Sequence, residues 1–260
     1  MKLEAVQVCV NYADFLAESL PLNKQHFNKL VIVTSEDDLE TQRLCEYHHV
    51  MCVTADFGPD GEFHKAVGIN RGLQELAMDG WVAHIDADIV LPPQTKSILE
   101  TLHLRNTSIY GIDRFKMHGY KAWRKQTKKP DLVHEAGTYI HTQKFPIATR
   151  FMTAQYGGYL PIGFFQMWNP LASGVGEYPV NNTSAGRTDM LFAGQWERRD
   201  RCLLPEIVCF HLESEDAPQG ANWNGRTTKP FRRQTPCSWC RHRWHHHKHR
   251  HHHHHPHPYE

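Results

Sequence analysis

The first third of the sequence alternates short apolar runs with segments of helical period, and no other feature limits the fold as strongly. The runs are LEAVQVCV, KLVIVTS, VMCVTADF and GWVAHIDAD. Between them lie DFLAESLPLNKQHF, a helix expected to be interrupted at Pro21, and DDLETQRLCEYHH, with an acidic first turn. An amphipathic stretch from Phe63 to Met78 follows the turn-rich GPDGE. Strands separated by helices pair in parallel through right-handed crossovers. The expected class is α/β, a Rossmann-like, mostly parallel sheet flanked by helices. In such sheets ligands bind beyond the carboxyl ends of the strands, where Asn11, Asp37, Asp38, Asp86 and Asp88 all fall.

The second half is less regular. PQTKSILETLH reads as a helix and SIYGIDRF, GFFQMW and PEIVCFHLE as strands, with antiparallel pairing and long loops expected among them. From about Phe231 the sequence becomes a low-complexity tract rich in histidine, too poor in apolar residues to build a core. The expected organisation is one domain over residues 1–230, with a nucleotide-binding half at 1–95 and an acceptor half at 96–230, then a disordered His-rich tail at 231–260. Cys237 and Cys240 in that tail offer zinc one ligand pair, without a second pair at a defined spacing.

Lys and Arg total 29 against 28 for Asp and Glu, so net charge by itself points to no polyanionic partner. Glu4 interrupts what would be the apolar part of a signal peptide, and no run reaches the roughly 18 apolar residues of a membrane span. A cytoplasmic protein without membrane insertion is expected. Of the seven cysteines, Cys9, Cys45, Cys52, Cys202 and Cys209 lie in apolar or helical runs without regular spacing, which suits reduced thiols.

The stretch WVAHIDADIVLPP carries the chemistry: an apolar, strand-like run ends in Asp86 and Asp88. Residues two apart in an extended segment point to the same side, so both carboxylates can converge on one cation. Oxygen ligands suit Mg²⁺ or Mn²⁺, which bind one or two carboxylates and leave the rest of the shell to substrate phosphates. A capping Asp and a turn Asp before Pro92 would account for the same spacing without a metal.

VQVCVNYADFL, VIVTSEDD, FHKAVGINRGL and GWVAHIDADIVLP, in that order, resemble the nucleotide-binding half of GT-A fold glycosyltransferases, especially the large family-two group. The resemblance covers roughly the first 95 residues. It implies the GT-A fold, a nucleotide-sugar donor, UDP-linked by expectation, and Mn²⁺ or Mg²⁺ as cofactor. On this resemblance Asn11 and Tyr12 border the base, and Asp37 or Asp38 accepts hydrogen bonds from uracil or ribose. Lys65 and Asn70 lie on the helix leading into the metal strand, where the plain alternative is a solvated helix face. Asp86 touches ribose or metal, and Asp88 is the firm metal ligand. SAGRTDMLFAGQW stands where inverting members carry an acidic pair; here Thr188 and Asp189 leave Asp189 as the local general base, or as a helix cap. His211 matches the late histidine that completes the metal shell.

The loop GANWNGRTTKPFRR suits closure over a diphosphate, with Arg226 or Lys229 offsetting leaving-group charge, or a plain exit loop. RFKMHGYKAWRKQTKKP interleaves Arg114, Lys116, Lys121, Arg124, Lys125, Lys128 and Lys129 with Phe115, Tyr120 and Trp123. Cations for phosphates and rings for bases are what nucleic acid requires, and a solvated basic loop is the alternative. The expected function is transfer of a sugar from a nucleotide sugar to a hydroxyl on a glycan or other carbohydrate-bearing acceptor. Two alternatives stay open: a DNA glycosyltransferase acting on a hydroxymethylated base, and a non-catalytic sugar-nucleotide binding module. Nothing in the chain specifies an oligomeric state.

Overall fold

The computed structural model describes residues 1–59, 62–127, 152–153, 158–183, 185–216, 226 and 228–231. Its sheet is founded on β1 (Leu3–Val8), β2 (Lys29–Thr34), β3 (Met51–Thr54) and β4 (Trp81–Asp86), all parallel, with β1 between β2 and β4. The connections are α1 (Ala13–Asn23), α2 (Leu39–His48) and α3 (Lys65–Leu73). Side chains of β1 and β2 alternate between two cores. Leu3, Ala5 and Ile32 pack with Leu16 and Leu20 of α1 and Leu44 of α2, whereas Val6, Val8, Val31 and Val33 pack with Ala66, Ile69 and Leu73 of α3. Helices thus cover both faces, as a parallel sheet requires. Gly72 permits the close approach of α3 to β1, since a Cβ there would lie 2.5 Å from Val6 Cγ1.

The expected interruption at Pro21 is corrected: α1 runs through it and ends at Asn23, followed by a 3₁₀ turn at Lys24–His26. The proline removes one backbone donor, but the buried stripe of Phe15, Leu16, Ser19, Leu20 and Asn23 continues across it and holds the helix to the sheet.

The second half extends the same sheet. β9 (Phe165–Trp168) runs antiparallel between β4 and β6 (Ile109–His118). β10 (Arg201–Glu213) lies parallel to β6, with a register shift between Leu204 and Val208, and β5 (Ile89–Val90) pairs antiparallel with its far side. The order is β3-β2-β1-β4-β9-β6-β10-β5. A separate two-stranded ribbon joins β7 (Met152–Thr153) to β8 (Gly158–Tyr159). Helices α4 (Thr95–Thr101), α5 (Tyr120–Thr127), α6 (Pro170–Ser173) and α7 (Ala185–Ala193) complete the described elements. The chain winds from β1 to β2 and β3 in one direction and returns to β4 on the other side. That reversal opens a crevice at the carboxyl ends of β1 and β4. No described helix is long and apolar enough to cross a membrane.

Candidate active site

The backbone that follows β4 is fixed by buried polar side chains. Gln7 Nε2 donates to Asp86 O at 2.8 Å, and Ser19 Oγ donates to Ala87 O at 2.6 Å. Asn23 donates to Ile89 O at 2.7 Å and accepts from Leu91 N at 2.9 Å. The amide of Asp86 donates to Phe164 O at 3.2 Å, and that of Leu212 to Asp88 O at 2.9 Å. Strands β1 and β10, helix α1 and the residue leading into β9 therefore all hold the segment carrying the two aspartates. Sequence reasoning missed Gln7, Ser19 and Asn23; their one signal was a polar residue at a core-facing position of an otherwise apolar stripe.

Asp86 Oδ1 accepts a hydrogen bond from Lys65 Nζ at 2.5 Å, and His84 Nε2 lies 3.8 Å from the same oxygen. Burial disfavours the Lys65 charge, but Asp86, Asp189 and Asp88 together outweigh it and raise its pKa. Burial also raises the pKa of Asp86 against the pull of Lys65. Asp88 Oδ2 lies 3.4 Å from His211 Nε2, while Asp88 Oδ1 is buried without a hydrogen-bond partner. His211 Nδ1 is 3.1 Å from Glu213 Oε1. Burial alone would lower the pKa of His211; the charge of Asp88 and hydrogen bonds to Asp88 and Glu213 raise it to about 9. Burial would raise that of Glu213, but its hydrogen bond to His211 and the charges of His211, Lys116 and His118 bring it down to about 2.

Asp189 comes to this site from α7. Its Oδ2 accepts from Gly163 N at 2.5 Å, and its Oδ1 is buried without a partner. Burial raises the Asp189 pKa, while Lys65 and the Gly163 amide act against that rise. The helix is held by aromatic packing: Phe192 stacks on Tyr178 with centroids 3.6 Å apart and meets Trp168 and Trp196 edge-on.

Among the described residues no group of three or more His, Cys, Asp or Glu side chains forms a ready-made metal centre. Asp88 and His211 nevertheless fit a divalent cation. Two adjacent ligands of an octahedral ion at about 2.1 Å lie about 3 Å apart, and these two donors are 3.4 Å apart. The orphaned Asp88 Oδ1 is an additional donor, and Glu213 orients the far nitrogen of the imidazole, as carboxylates commonly do behind metal-bound histidine. Asp86 is already engaged by Lys65 and joins the pair as a neighbouring charge.

Other expected contacts are placed differently. Asp38 is the α2 cap: it accepts from Thr41 N and Oγ1, Thr34 Oγ1 and Asn11 N, so it is turned inward and leaves Asp37 exposed at the rim. Asn70 uses both ends of its amide on the Tyr178 backbone, which corrects its assignment to the nucleotide. Asn11, exposed with φ 58°, and Tyr12 turn the chain from β1 into α1 beside the crevice. Arg226 is already paired with Asp14 through two hydrogen bonds and lies over the Tyr12 ring, 4.8 Å from its centroid. Lys229 is exposed; its carbonyl accepts from Ser214 Oγ and Arg226. The basic and aromatic segment divides. Trp123 is 1% exposed and donates to Glu18, so it is a core residue of α5 and offers no stacking face; Tyr120 meets Phe231 edge-on. Lys121, Arg124 and Lys125 are exposed on α5, whereas Arg114 and Lys116 lie on β6 near His211. Lys128, Lys129, Cys237 and Cys240 lie outside the described residues.

No protein-family model matches the sequence, and no curated protein does. Among solved structures, the chain is similar to residues 1–349 of TarS from S. aureus, with a TM-score of 0.51 at 11% identity over 82% of this chain and 60% of that one. The fold is GT-A. The chain spans 60% of the length of that relative. Glucosyl-3-phosphoglycerate synthase from Mycobacterium tuberculosis, solved with phosphoglyceric acid, is similar at a TM-score of 0.43 and 14% identity, over 81% of this chain and 70% of that one. Beneath the GT-A crevice lie two buried side chains that periodicity could not single out. His84 is kept neutral by burial and by Lys65, and both its ring nitrogens lack hydrogen-bond partners. Gln166, its cross-strand neighbour, accepts from Tyr178 Oη and donates to Asp189 O.

Proposed function

We propose that the chain is a metal-dependent glycosyltransferase that moves a sugar from a UDP-sugar to a hydroxyl of a carbohydrate-bearing acceptor. One observation carries the reading: Lys65, Asp86, Asp88, Asp189 and His211, from four separated parts of the sequence, meet at the carboxyl end of β4 on a GT-A sheet. Asp88 and His211 would hold Mn²⁺ or Mg²⁺. The bound ion supplies charge neutralisation of the donor diphosphate. Tyr12 and Asn11 border the base, Asp37 offers its exposed carboxylate to the nucleoside, and Lys65 orients Asp86.

Asp189 is the proposed base. Its free Oδ1 accepts the proton of the acceptor hydroxyl as that oxygen bonds to the anomeric carbon. The bond from that carbon to the diphosphate oxygen breaks, and the nucleoside diphosphate departs with the electron pair. In-line attack of this kind inverts the anomeric configuration. A carboxylate whose pKa is raised by burial is the stronger base for this task. Residues 1–230 act as one catalytic unit in this reading. The free thiols Cys9, Cys45, Cys52, Cys202 and Cys209 support a cytoplasmic setting.

Thermal unfolding with Mn²⁺ plus UDP, UDP-glucose, UDP-galactose, UDP-N-acetylglucosamine or GDP-mannose tests the donor. Saturation of a binding site at a hundredfold over Kd adds roughly 2.7 kcal/mol and raises Tm by about 5 °C or more. The reading expects a metal-dependent rise for a UDP ligand that is absent in Asp88→Ala. A folded parent that responds to none of the five excludes it.

A further inference from the structure

Among the described residues, Arg114 is a cation beside the site that the chemistry above leaves unused. It sits on β6 beside Cys209 of β10, with its guanidinium over the Phe164 ring at 4.5 Å from the centroid. The surroundings of Phe164 belong to the active site on both sides: its carbonyl accepts from Asp86 N, and the preceding Gly163 amide donates to Asp189. The charge of Arg114 is also felt at His211. Among the described residues the guanidinium makes no hydrogen bond and no ion pair. Its strand neighbours on the same face, Lys116 and His118, share one acid, Glu213, with His211. Lys116 is thus paired with Glu213, and Arg114, two residues earlier on the same strand, has no acid of its own among the described residues.

A half-buried guanidinium, held over an aromatic ring and without a carboxylate, can bind an oxyanion through two parallel hydrogen bonds. We propose that Arg114 binds a phosphate group on the acceptor and so makes this transferase specific for phosphate-bearing hydroxyl compounds. This rests on the glycosyltransferase reading. The phosphate is either a monoester on a small sugar or a diester within a polymer.

The test titrates the full chain, saturated with Mg²⁺ and UDP, by calorimetry. The probes are inorganic phosphate, glucose 6-phosphate, glucose and a short single-stranded oligonucleotide. Glucose 6-phosphate is expected to bind at least about tenfold more tightly than glucose, and inorganic phosphate to compete with it. In Arg114→Gln that preference disappears while UDP affinity stays within about twofold, which shows the variant folded; Arg114→Lys restores part of it. Arg114-dependent binding of the oligonucleotide alone assigns the site to a polymer diester. Equal binding of glucose and glucose 6-phosphate with no oligonucleotide binding, or a preference that survives Arg114→Gln, overturns the proposal. If UDP does not bind, the transferase reading fails by itself, and Arg114-dependent phosphate binding in the absence of UDP still upholds the anion site.

Discussion

Asp189 meets the demands on a base better than its neighbours do. Asp86 spends an oxygen on Lys65, and Asp88 is paired with His211 as the candidate cation ligand, whereas Asp189 stands outside that pair with Oδ1 unpartnered and a pKa raised by burial. Asp189→Asn is therefore expected to lower kcat by about 10²–10⁴ with UDP affinity unchanged, measured as UDP release and by calorimetry. His26 provides a second prediction, on stability. It is 1% exposed, and burial, aided by Lys96, lowers its pKa from 6.5 to about 4. The unfolded chain then binds the proton more readily, so stability from this group is complete above pH 6.5 and is lost as pH falls toward 4. Urea unfolding at pH 7 and pH 5 should show a decline, up to roughly 2 kcal/mol from this group, that is smaller in His26→Gln. At this scale the convergence of Asp86 and Asp88 was legible from period-two spacing at a strand end, and that of His211 with them only through the resemblance. Asp38 and Asn70 were misread for one reason: a cap formed with Thr41 and a bridge to Tyr178 depend on partners that spacing along one segment does not reveal.

Elements transmit position to these residues. Asn23 of α1, fully buried, adds two side-chain hydrogen bonds at β5 to its pairing with β10, one to Ile89 O and one from Leu91 N. Asn23→Ala leaves Ile89 O and Leu91 N unsatisfied and should cost about 2–4 kcal/mol in urea unfolding. It should also weaken Mn²⁺ binding, since β5 follows Asp88 directly. Gly163, before β9, has a comparable role toward α7: a Cβ there would meet Asp189 Cβ at 2.9 Å and Oδ2 at 3.0 Å. Gly163→Ala is expected to displace the carboxylate, reducing kcat about tenfold or more while the donor KM holds. The parallel strands and their helices were legible because each βα unit is local in sequence and two-sided burial makes it continuously apolar. Helix α5 was not. Its charges conceal a spacing in which Trp123 and Gln126 are buried and Lys121, Arg124 and Lys125 are exposed.

Across the whole molecule, the first half provides a crevice and the second half closes chemistry over it. β9 inserts antiparallel beside β4, and β10 returns to place His211 opposite Asp88. That pairing order was hidden in the sequence, since it depends on contacts between strands separated by long connections and on a bulge at Leu204 and Val208. We infer that this long-range meeting of Asp88 and His211 is a cation site completed by a nucleoside diphosphate. The most direct measurement is the electron paramagnetic resonance signal of free Mn²⁺, titrated with protein with and without UDP. The parent is expected to bind Mn²⁺ at least about tenfold more tightly with UDP present, and Asp88→Asn and His211→Ala to lose about a hundredfold in affinity. Equal Mn²⁺ binding by the parent and Asp88→Asn in the presence of UDP would contradict it.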